Sequence, residues 1–154
     1  MGAQVLLAAM SPDQLDVAEL TELVRRPDAG AVCIFEGRVR NHDRQARGEV
    51  VELNYSCHPS AFQLIGEIVA ATTAEIDLQG QAKVVAVHRT GRVSVGEVAF
   101  VVAVSSPHRE LAFELVQRIV DEVKAQLPVW KQQVEADGRH SWPSNFTTDE
   151  ESNC

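Results

Sequence analysis

The sequence lacks the segments that mark membrane and exported proteins. No apolar run reaches the roughly 18 residues that a membrane helix needs, and the N-terminus has no basic start followed by a long apolar stretch. The three cysteines include no close pair, and an odd number favours reduced thiols. We therefore expect a cytoplasmic protein.

Motifs for metals, nucleotides and covalent hydrolysis are also missing. The five histidines have no partner at zinc spacing, and there is no glycine-rich phosphate loop, Gly-x-Ser-x-Gly elbow or Cys-x-x-Cys pair. We expect neither a metal nor a bound cofactor. The net charge of −8 repels nucleic acid and anionic membranes, so any anion site requires a local cluster of cations.

Hydrophobic periodicity, capping residues and prolines predict an α+β fold with the element order α-β-β-α-β-β-α-β. Helices are predicted at about 11–26, 59–78 and 106–126, and strands at about 31–39, 49–56, 83–88, 98–104 and 129–135. Strands that come in pairs between helices favour a mixed or antiparallel sheet. The chain of 154 residues is expected to form a single domain over 1–143, followed by a flexible acidic tail over 144–154.

The start of the third predicted helix is a candidate anion site. His108 and Arg109 fall in its first turn, where free backbone N–H groups and the positive end of the helix dipole also lie. Cations are disfavoured there by about 0.3–1 kcal/mol unless an acid or a bound anion compensates. A solvated helix start with an Arg109–glutamate ion pair is an equally good interpretation.

A second candidate lies where the first predicted strand enters a polar loop, at Arg38, Val39 and Arg40. Alternation places Arg38 and Arg40 on one face of the strand. Two guanidinium groups on one face repel each other unless an acid or a phosphate lies between them, and their forked donors suit phosphate oxygens. A polar strand edge that faces water is the alternative.

Lysine is rare in this chain, which has only Lys83, Lys124 and Lys131. Lys124 could be a surface lysine paired with Asp121, and Lys131 follows Trp130, which could pack against its stem. A lysine removed from water beside other cations becomes a usable nucleophile or proton donor.

A His-Arg pair and two cysteines are interpreted as structural residues. The His88-Arg89 pair, before the turn at Gly91, is interpreted as structural. Cys33 and Cys57 lie in apolar or alternating segments and are interpreted as core residues.

Taken in order, several segments resemble the large subunit of molybdopterin synthase. The matching segments are Phe35-Glu36-Gly37-Arg38-Val39-Arg40, His88-Arg89-Thr90-Gly91 with Gly96-Glu97, Ser106-Pro107-His108-Arg109 with Ala112-Phe113, and Lys124 followed by Pro128-Val129-Trp130-Lys131. The resemblance spans about residues 16–142. Its specificity comes from the order and spacing of these segments, above all the two lysines seven residues apart around a proline.

The resemblance implies an α/β hammerhead-like fold, a homodimer and a sulfurtransferase activity. In this family, a small ubiquitin-like subunit carries sulfur as a thiocarboxylate on its C-terminal Gly-Gly and inserts that end into the large subunit. Two sulfur atoms pass to cyclic pyranopterin monophosphate and form the dithiolene of molybdopterin. Because this chain ends in Ser-Asn-Cys, the sulfur carrier is expected to be a separate chain, giving a heterotetramer.

By position, Lys124 and Lys131 match the catalytic lysines of the family. Its substrate-contacting segments match Arg38 to Arg40, His108-Arg109, and Lys131 with Gln132 and Gln133. The family usually has a glutamate where this chain has Gln133. Unlike the glutamate carboxylate, the glutamine amide provides neither a negative charge nor a proton acceptor. Two alternatives stay open: a non-catalytic module that binds a phosphorylated metabolite, and a scaffold subunit without activity.

Overall fold

The computed structural model describes residues 4–42 and 48–141. The three helices and eight strands in these ranges confirm the predicted α+β class. In chain order they are β1 (Val5–Ser11), α1 (Val17–Val24), β2 (Ala31–Arg38), β3 (Val50–Cys57), α2 (Ala61–Ile76), β4 (Lys83–Arg89), β5 (Gly91–Ser94), β6 (Val98–Ser106), α3 (Arg109–Gln126), β7 (Val129–Glu135) and β8 (His140–Ser141).

The first sheet has the strand order β1-β4-β6-β2, in which β1 and β4 are parallel and the other pairs are antiparallel. Helices α2 and α3 pack against one face, and α1 packs against the other. Strands β4 and β6 are therefore buried on both faces, which explains their nearly continuous apolar sequences. Consecutive residues of β6, such as Val102 and Ala103, point to opposite faces and belong to different cores.

The second sheet is antiparallel, with the order β5-β3-β7-β8. Leu53 of β3 and Val93 of β5 form a small core with Val39, Val50 and Ala99. Val39 follows β2 and Ala99 lies near the start of β6, so this core joins the second sheet to one end of the first. That junction is where the candidate site lies.

The first helix starts later than the sequence predicts: it was predicted to begin at about residue 11, and α1 begins at Val17. Ser11 instead ends β1, where its carbonyl accepts a hydrogen bond from the Thr90 N–H at 2.9 Å. The helix begins after Asp16, whose carboxylate accepts a hydrogen bond from the Glu19 N–H at 3.0 Å. Local capping signals at Ser11-Pro12 were overridden by pairing with the distant β4 strand, and the same kind of pairing creates β5 in a region predicted as a turn.

The cysteines behave differently from one another. Cys33 is a free, half-buried thiol. Cys57 is completely buried in the main core, as predicted. The predicted acidic tail over 144–154 lies outside the described residues. Within the described ranges, no helix combines the length and apolar character needed to cross a membrane.

Candidate functional site

Four rings meet where the two sheets join, and we call them the aromatic cluster: Phe35, Tyr55, His88 and Phe100. The His88 ring centroid lies 5.2 Å from those of both Tyr55 and Phe100, and Phe100 lies 5.9 Å from Phe35. Tyr55 meets His88 edge-on, and Phe35 meets Phe100 edge-on, which is a favourable arrangement of ring quadrupoles. The cluster thus forms one continuous surface from β2 to β3.

Strand pairing builds this cluster from residues that are distant in sequence. His88 lies directly opposite Phe100 in the antiparallel β4–β6 pair. Gly37 completes the arrangement, because a Cβ atom there would lie 3.2 Å from the Phe35 ring and 3.4 Å from the Phe100 Cβ. A larger residue at this position would displace the rings, so the Gly37 backbone is part of the site's construction.

Lys124 approaches the cluster from α3. Its Nζ atom lies 5.9 Å from the Phe35 ring centroid, within the range of a cation–π interaction. The residue is exposed and lies in the last turn of the helix, where the dipole favours a positive charge. Its ammonium group is therefore stabilised at this position while it remains accessible.

Lys131 approaches the same cluster from β7. It is half-buried and lies opposite Tyr55 in the antiparallel β3–β7 pair, so both side chains are on one face of the second sheet. Trp130 is the preceding residue on the strand and faces the other way. Tyr55 is therefore the aromatic neighbour of Lys131, in place of the Trp130 expected from the sequence.

The electrostatics of His88 link the two lysines. Burial lowers the pKa of His88 to about 4; the hydrogen bond to the Arg89 carbonyl opposes this change, and the charges of Lys131 and Lys124 add to it. Both ammonium groups therefore act on one imidazole, which is uncharged at neutral pH. Burial likewise raises the pKa of Tyr55 to about 12, so the phenol is neutral too.

Arg38, Val39 and Arg40 lie at the end of the first sheet that carries the aromatic cluster. The Arg38 guanidinium donates hydrogen bonds to the Gly96 carbonyl, which leaves it exposed but positioned by the protein. Val39 is only 2% exposed, and its N–H and C=O bond to Glu97 and Gly96. Arg40 is exposed beyond the end of β2. Val39 therefore holds the two arginines in place, and its own side chain faces the core.

His108 and Arg109 are exposed at the opposite end of α3 from Lys124. His108 has extended backbone geometry at the N-cap position and makes no side-chain capping hydrogen bond. A helix rises 1.5 Å per residue, so Arg109 and Lys124 are about 22 Å apart along the axis. Within one chain, the structure does not bring this pair together with the lysines.

Gln132 and Gln133 follow Lys131 on β7. Gln132 is half-buried and lies opposite Asn54 on the other face of the strand. Gln133 is on the same face as Lys131 and is only 3% exposed. A glutamate at position 133 would be a buried carboxylate near the Lys131 ammonium group.

Arg89 has the structural role inferred from the sequence. It is 5% exposed and donates hydrogen bonds to the carbonyls of Pro12 and Arg92, both at 3.2 Å. It also pairs with Glu97, with an N–O distance of 3.4 Å. Arg89 therefore fastens the ends of β1, β4 and β5 together beside the site.

The family model described as MoaE protein matches residues 10–126 of the chain. The chain belongs to the MoaE family. It is 35% identical to the molybdopterin synthase catalytic subunit of Pyricularia oryzae, over 94% of this chain and 78% of the relative. It is also 35% identical to the protein of the same name from Thermoplasma volcanium, over 80% of this chain and 88% of the relative.

Solved structures share the architecture of this MoaE-family chain. The molybdopterin synthase structure from Staphylococcus aureus matches with a TM-score of 0.75 and 25% identity, covering 90% of this chain and 97% of that one. A complex of subunits 1 and 2 of the molybdopterin-converting factor from Helicobacter pylori has the same fold, with a TM-score of 0.70 at 21% identity.

Sequence reasoning placed both lysines of this MoaE-family chain in the site but missed the rings between them. Phe35 appeared only as part of a matching segment, His88 was interpreted as structural, and Tyr55 and Phe100 were not singled out. Each ring lies on a different strand, so only the strand pairing brings them together. The available sequence signal was a histidine directly after the apolar run of β4, residues 84–87.

Proposed function

We propose that this chain is the catalytic subunit of a molybdopterin synthase in the cytoplasm. It transfers sulfur from the thiocarboxylated C-terminus of a small ubiquitin-like subunit to cyclic pyranopterin monophosphate, forming the molybdopterin dithiolene. The observation that carries this proposal is the convergence of Lys124 and Lys131 on one aromatic cluster. The names of the relatives support it.

The two lysines fit the chemistry of an acyl donor. A thiocarboxylate transfers its sulfur readily, so the protein mainly has to position it and manage charge and protons. Ammonium groups from two directions stabilise negative charge on the carrier's terminal carbonyl oxygen. A lysine that has lost its proton is instead an amine that can attack the carbonyl carbon, forming a C–N bond as the C–S bond breaks and the sulfur leaves. The half-buried rings of Phe35 and Tyr55 limit water around this centre and strengthen those interactions.

The phosphate and the polar pterin require fixed donors. Arg38 and Arg40 are exposed at the cluster end of the first sheet and provide two guanidinium groups. His108 and Arg109 add donors beside the free N–H groups of the α3 start. Opening of the cyclic phosphate leaves more negative charge, which these cations stabilise.

A homodimer accounts for the two separated groups of cations. Because His108 and Arg109 lie about 22 Å from Lys124 along α3, one chain cannot place all of them around one small substrate. In the proposed dimer, the α3 start of one subunit completes the lysine site of its partner. Two small subunits, each with a C-terminal Gly-Gly, then give a heterotetramer.

The direct test is reconstitution with a thiocarboxylated small subunit and cyclic pyranopterin monophosphate, with dithiolene as the measured product. We expect Lys131→Ala and Lys124→Ala to lower turnover by about a thousandfold or more, while substrate binding weakens much less. Lys83→Ala is the matched control, because this third lysine starts β4, away from the cluster. It should retain turnover within about twofold.

The same assay separates the alternatives. A non-catalytic binding module predicts that Lys131→Ala weakens ligand binding without a separate loss of turnover. A scaffold subunit predicts that the natural chain is inactive and that Gln133→Glu creates activity. Absence of product with a verified cognate small subunit would contradict the synthase proposal.

A further inference from the structure

His88 occupies the centre of the proposed site without a role in the chemistry described so far. Its ring touches Tyr55 from the second sheet and Phe100 from the first, at 5.2 Å in each case. Lys131 flanks Tyr55 as its cross-strand neighbour, and Lys124 lies over Phe35 at the far side of Phe100. His88 is thus the only imidazole among these rings, with one lysine on either side.

The structure fixes which nitrogen of His88 carries the proton. Nδ1 lies 2.7 Å from the Arg89 carbonyl oxygen. A carbonyl oxygen only accepts, so Nδ1 is the donor, and in the neutral ring Nε2 keeps a lone pair. The Arg89 backbone is itself held by the buried Arg89 side chain, which makes the orientation of the imidazole rigid.

We propose that His88 is a positioning residue for the lysine pair, with Nε2 accepting a hydrogen bond from the Lys131 ammonium group. This inference rests on the proposed function for its catalytic meaning. The bond holds Lys131 towards the reacting carbonyl, and the neutral ring keeps the two ammonium groups close without adding a third positive charge between them.

Two observations favour Lys131 over Lys124 as the donor. The charge of Lys131 affects the pKa of His88 more strongly than the charge of Lys124 does. Lys131 also shares a sheet face with Tyr55, whose ring is in direct contact with His88, whereas two rings separate Lys124 from His88. Lys131 is half-buried, so a fixed acceptor offsets part of its lost hydration.

The charged and titratable groups around His88 define the expected pH behaviour. Among the described residues they are Tyr55 from β3, Lys131 from β7 and Lys124 from α3. Tyr55 is neutral below about pH 12, and His88 is neutral above about pH 4. A change at position 88 should therefore alter the alkaline limb of the rate profile, where an ammonium group loses its proton.

Three variants separate the two ring nitrogens. In His88→Gln the amide oxygen can replace the Nε2 acceptor, in His88→Asn the amide N–H can replace the Nδ1 donor, and His88→Phe keeps only the ring. We expect His88→Asn and His88→Phe to lower kcat by about tenfold to a hundredfold with little change in KM, and to shift the alkaline limb of kcat to lower pH. His88→Gln should retain kcat within about tenfold of the natural chain.

The opposite ranking, with His88→Asn active and His88→Gln inactive, would overturn the proposal in favour of a structural anchor through Nδ1. Equal kcat losses in all three variants that parallel their loss of thermal stability would overturn it too, as would wild-type kcat in all three.

A measurement on folded protein without substrate tests the hydrogen bond itself. Nitrogen NMR of the His88 ring should show a protonated Nδ1, and Lys131→Met should shift the Nε2 resonance more than the matched Lys124→Met does. An Nε2 resonance unaffected by Lys131→Met would overturn the proposal. Failure of the natural chain to make dithiolene would instead contradict the proposed function, and it would leave this NMR result standing.

Discussion

The two ends of α3 differ in how the protein holds its cations. At the C-terminal end, Lys124 lies over the Phe35 ring, and Lys131 lies beside Tyr55 on the adjoining sheet. At the N-terminal end, His108 and Arg109 are both exposed, and His108 makes no side-chain capping hydrogen bond. The first group is assembled by contacts within the chain, and the second is displayed on its surface.

This difference indicates a division of tasks. Groups that act on a reacting carbonyl have to be held within a fraction of an ångström, which requires the packing found around the aromatic cluster. Groups displayed on a helix start are suited to meeting something outside the chain, which under the proposed function is the phosphate held in a partner subunit's site. The comparison fails if the cations at both ends of α3 act within one chain. It also fails if replacing the cations at either end leaves turnover unchanged.

The largest expected effect tests whether the two ends act across a dimer. Lys131→Ala and Arg109→Ala should each abolish most of the turnover. Mixed after unfolding and refolding, they should regain about a quarter of wild-type turnover, because half of the dimers are mixed and each mixed dimer has one intact site. Dithiolene formation measures the outcome.

The control for this experiment is a mixture of Lys131→Ala with Lys124→Ala, which places both defects in the same group of cations. No recovery is expected, because every site then lacks one lysine. Recovery in the control, or none in the first mixture despite verified subunit exchange, would contradict the arrangement across two subunits.

Stability should distinguish an arginine beside the lysine site from an arginine at the start of α3. Arg89→Met removes a buried guanidinium group that bonds two carbonyls and pairs with Glu97, so the free energy of unfolding should fall by about 3 kcal/mol. Arg109→Met replaces an exposed side chain and should change it by less than about 0.5 kcal/mol. Urea denaturation of both variants measures this contrast, and equal losses would show that the α3 start is also built into the fold.

The histidines should differ in how they make stability depend on pH. The pKa of His88 is about 4 in the folded chain and 6.5 in its ordinary state, so the unfolded chain binds the extra proton between these values. The His88 contribution is fully present above pH 6.5 and is lost as the pH falls to about 4, with a slope approaching 1.4 kcal/mol per pH unit.

Replacement of His88 by phenylalanine should therefore reduce the stability difference between pH 7 and pH 4.5 by about 2 kcal/mol. His108→Phe is the matched control for replacing a histidine by phenylalanine at an exposed position. Urea denaturation at both pH values is the measurement. An unchanged pH dependence in His88→Phe would show that His88 is not held neutral in the folded chain.

The smallest effect is expected at Gln133. Because the amide is 3% exposed and lies on the Lys131 face of β7, Gln133→Glu introduces a buried carboxylate that the nearby ammonium group partly compensates. Turnover should change by no more than about fivefold in either direction. A much larger gain would mean that the lysine end of the natural chain is incomplete.

The sequence predicted most of the fold because its signals are local. Apolar runs and proline positions predicted β7 with its observed bounds and the C-terminal ends of α2 and α3 within two residues. The prediction failed at β1 and β5, which form through pairing with strands far away in the sequence. A four-residue strand such as β5 has too little intrinsic preference to be recognised without its partner.

The candidate site was predictable in its cations and not in its environment. Lys124 and Lys131 follow from their spacing and from the family resemblance, and the positions of Arg40 and His108 follow from the ends of predicted elements. The role of Val39 did not follow, because its burial depends on the second sheet packing beside it. The neutral state of His88 also depends on that packing, since burial is its main cause.

By itself, the sequence determined where the cationic residues lie along the chain, which strands are buried and where each helix ends. The last two properties depend on apolar runs and prolines a few positions away. Only the tertiary structure decided that Phe35, Tyr55, His88 and Phe100 meet between two lysines, and that His108 and Arg109 lie about 22 Å from one of them. Contacts between distant strands depend on register and on sheet order, and no short stretch of sequence specifies either.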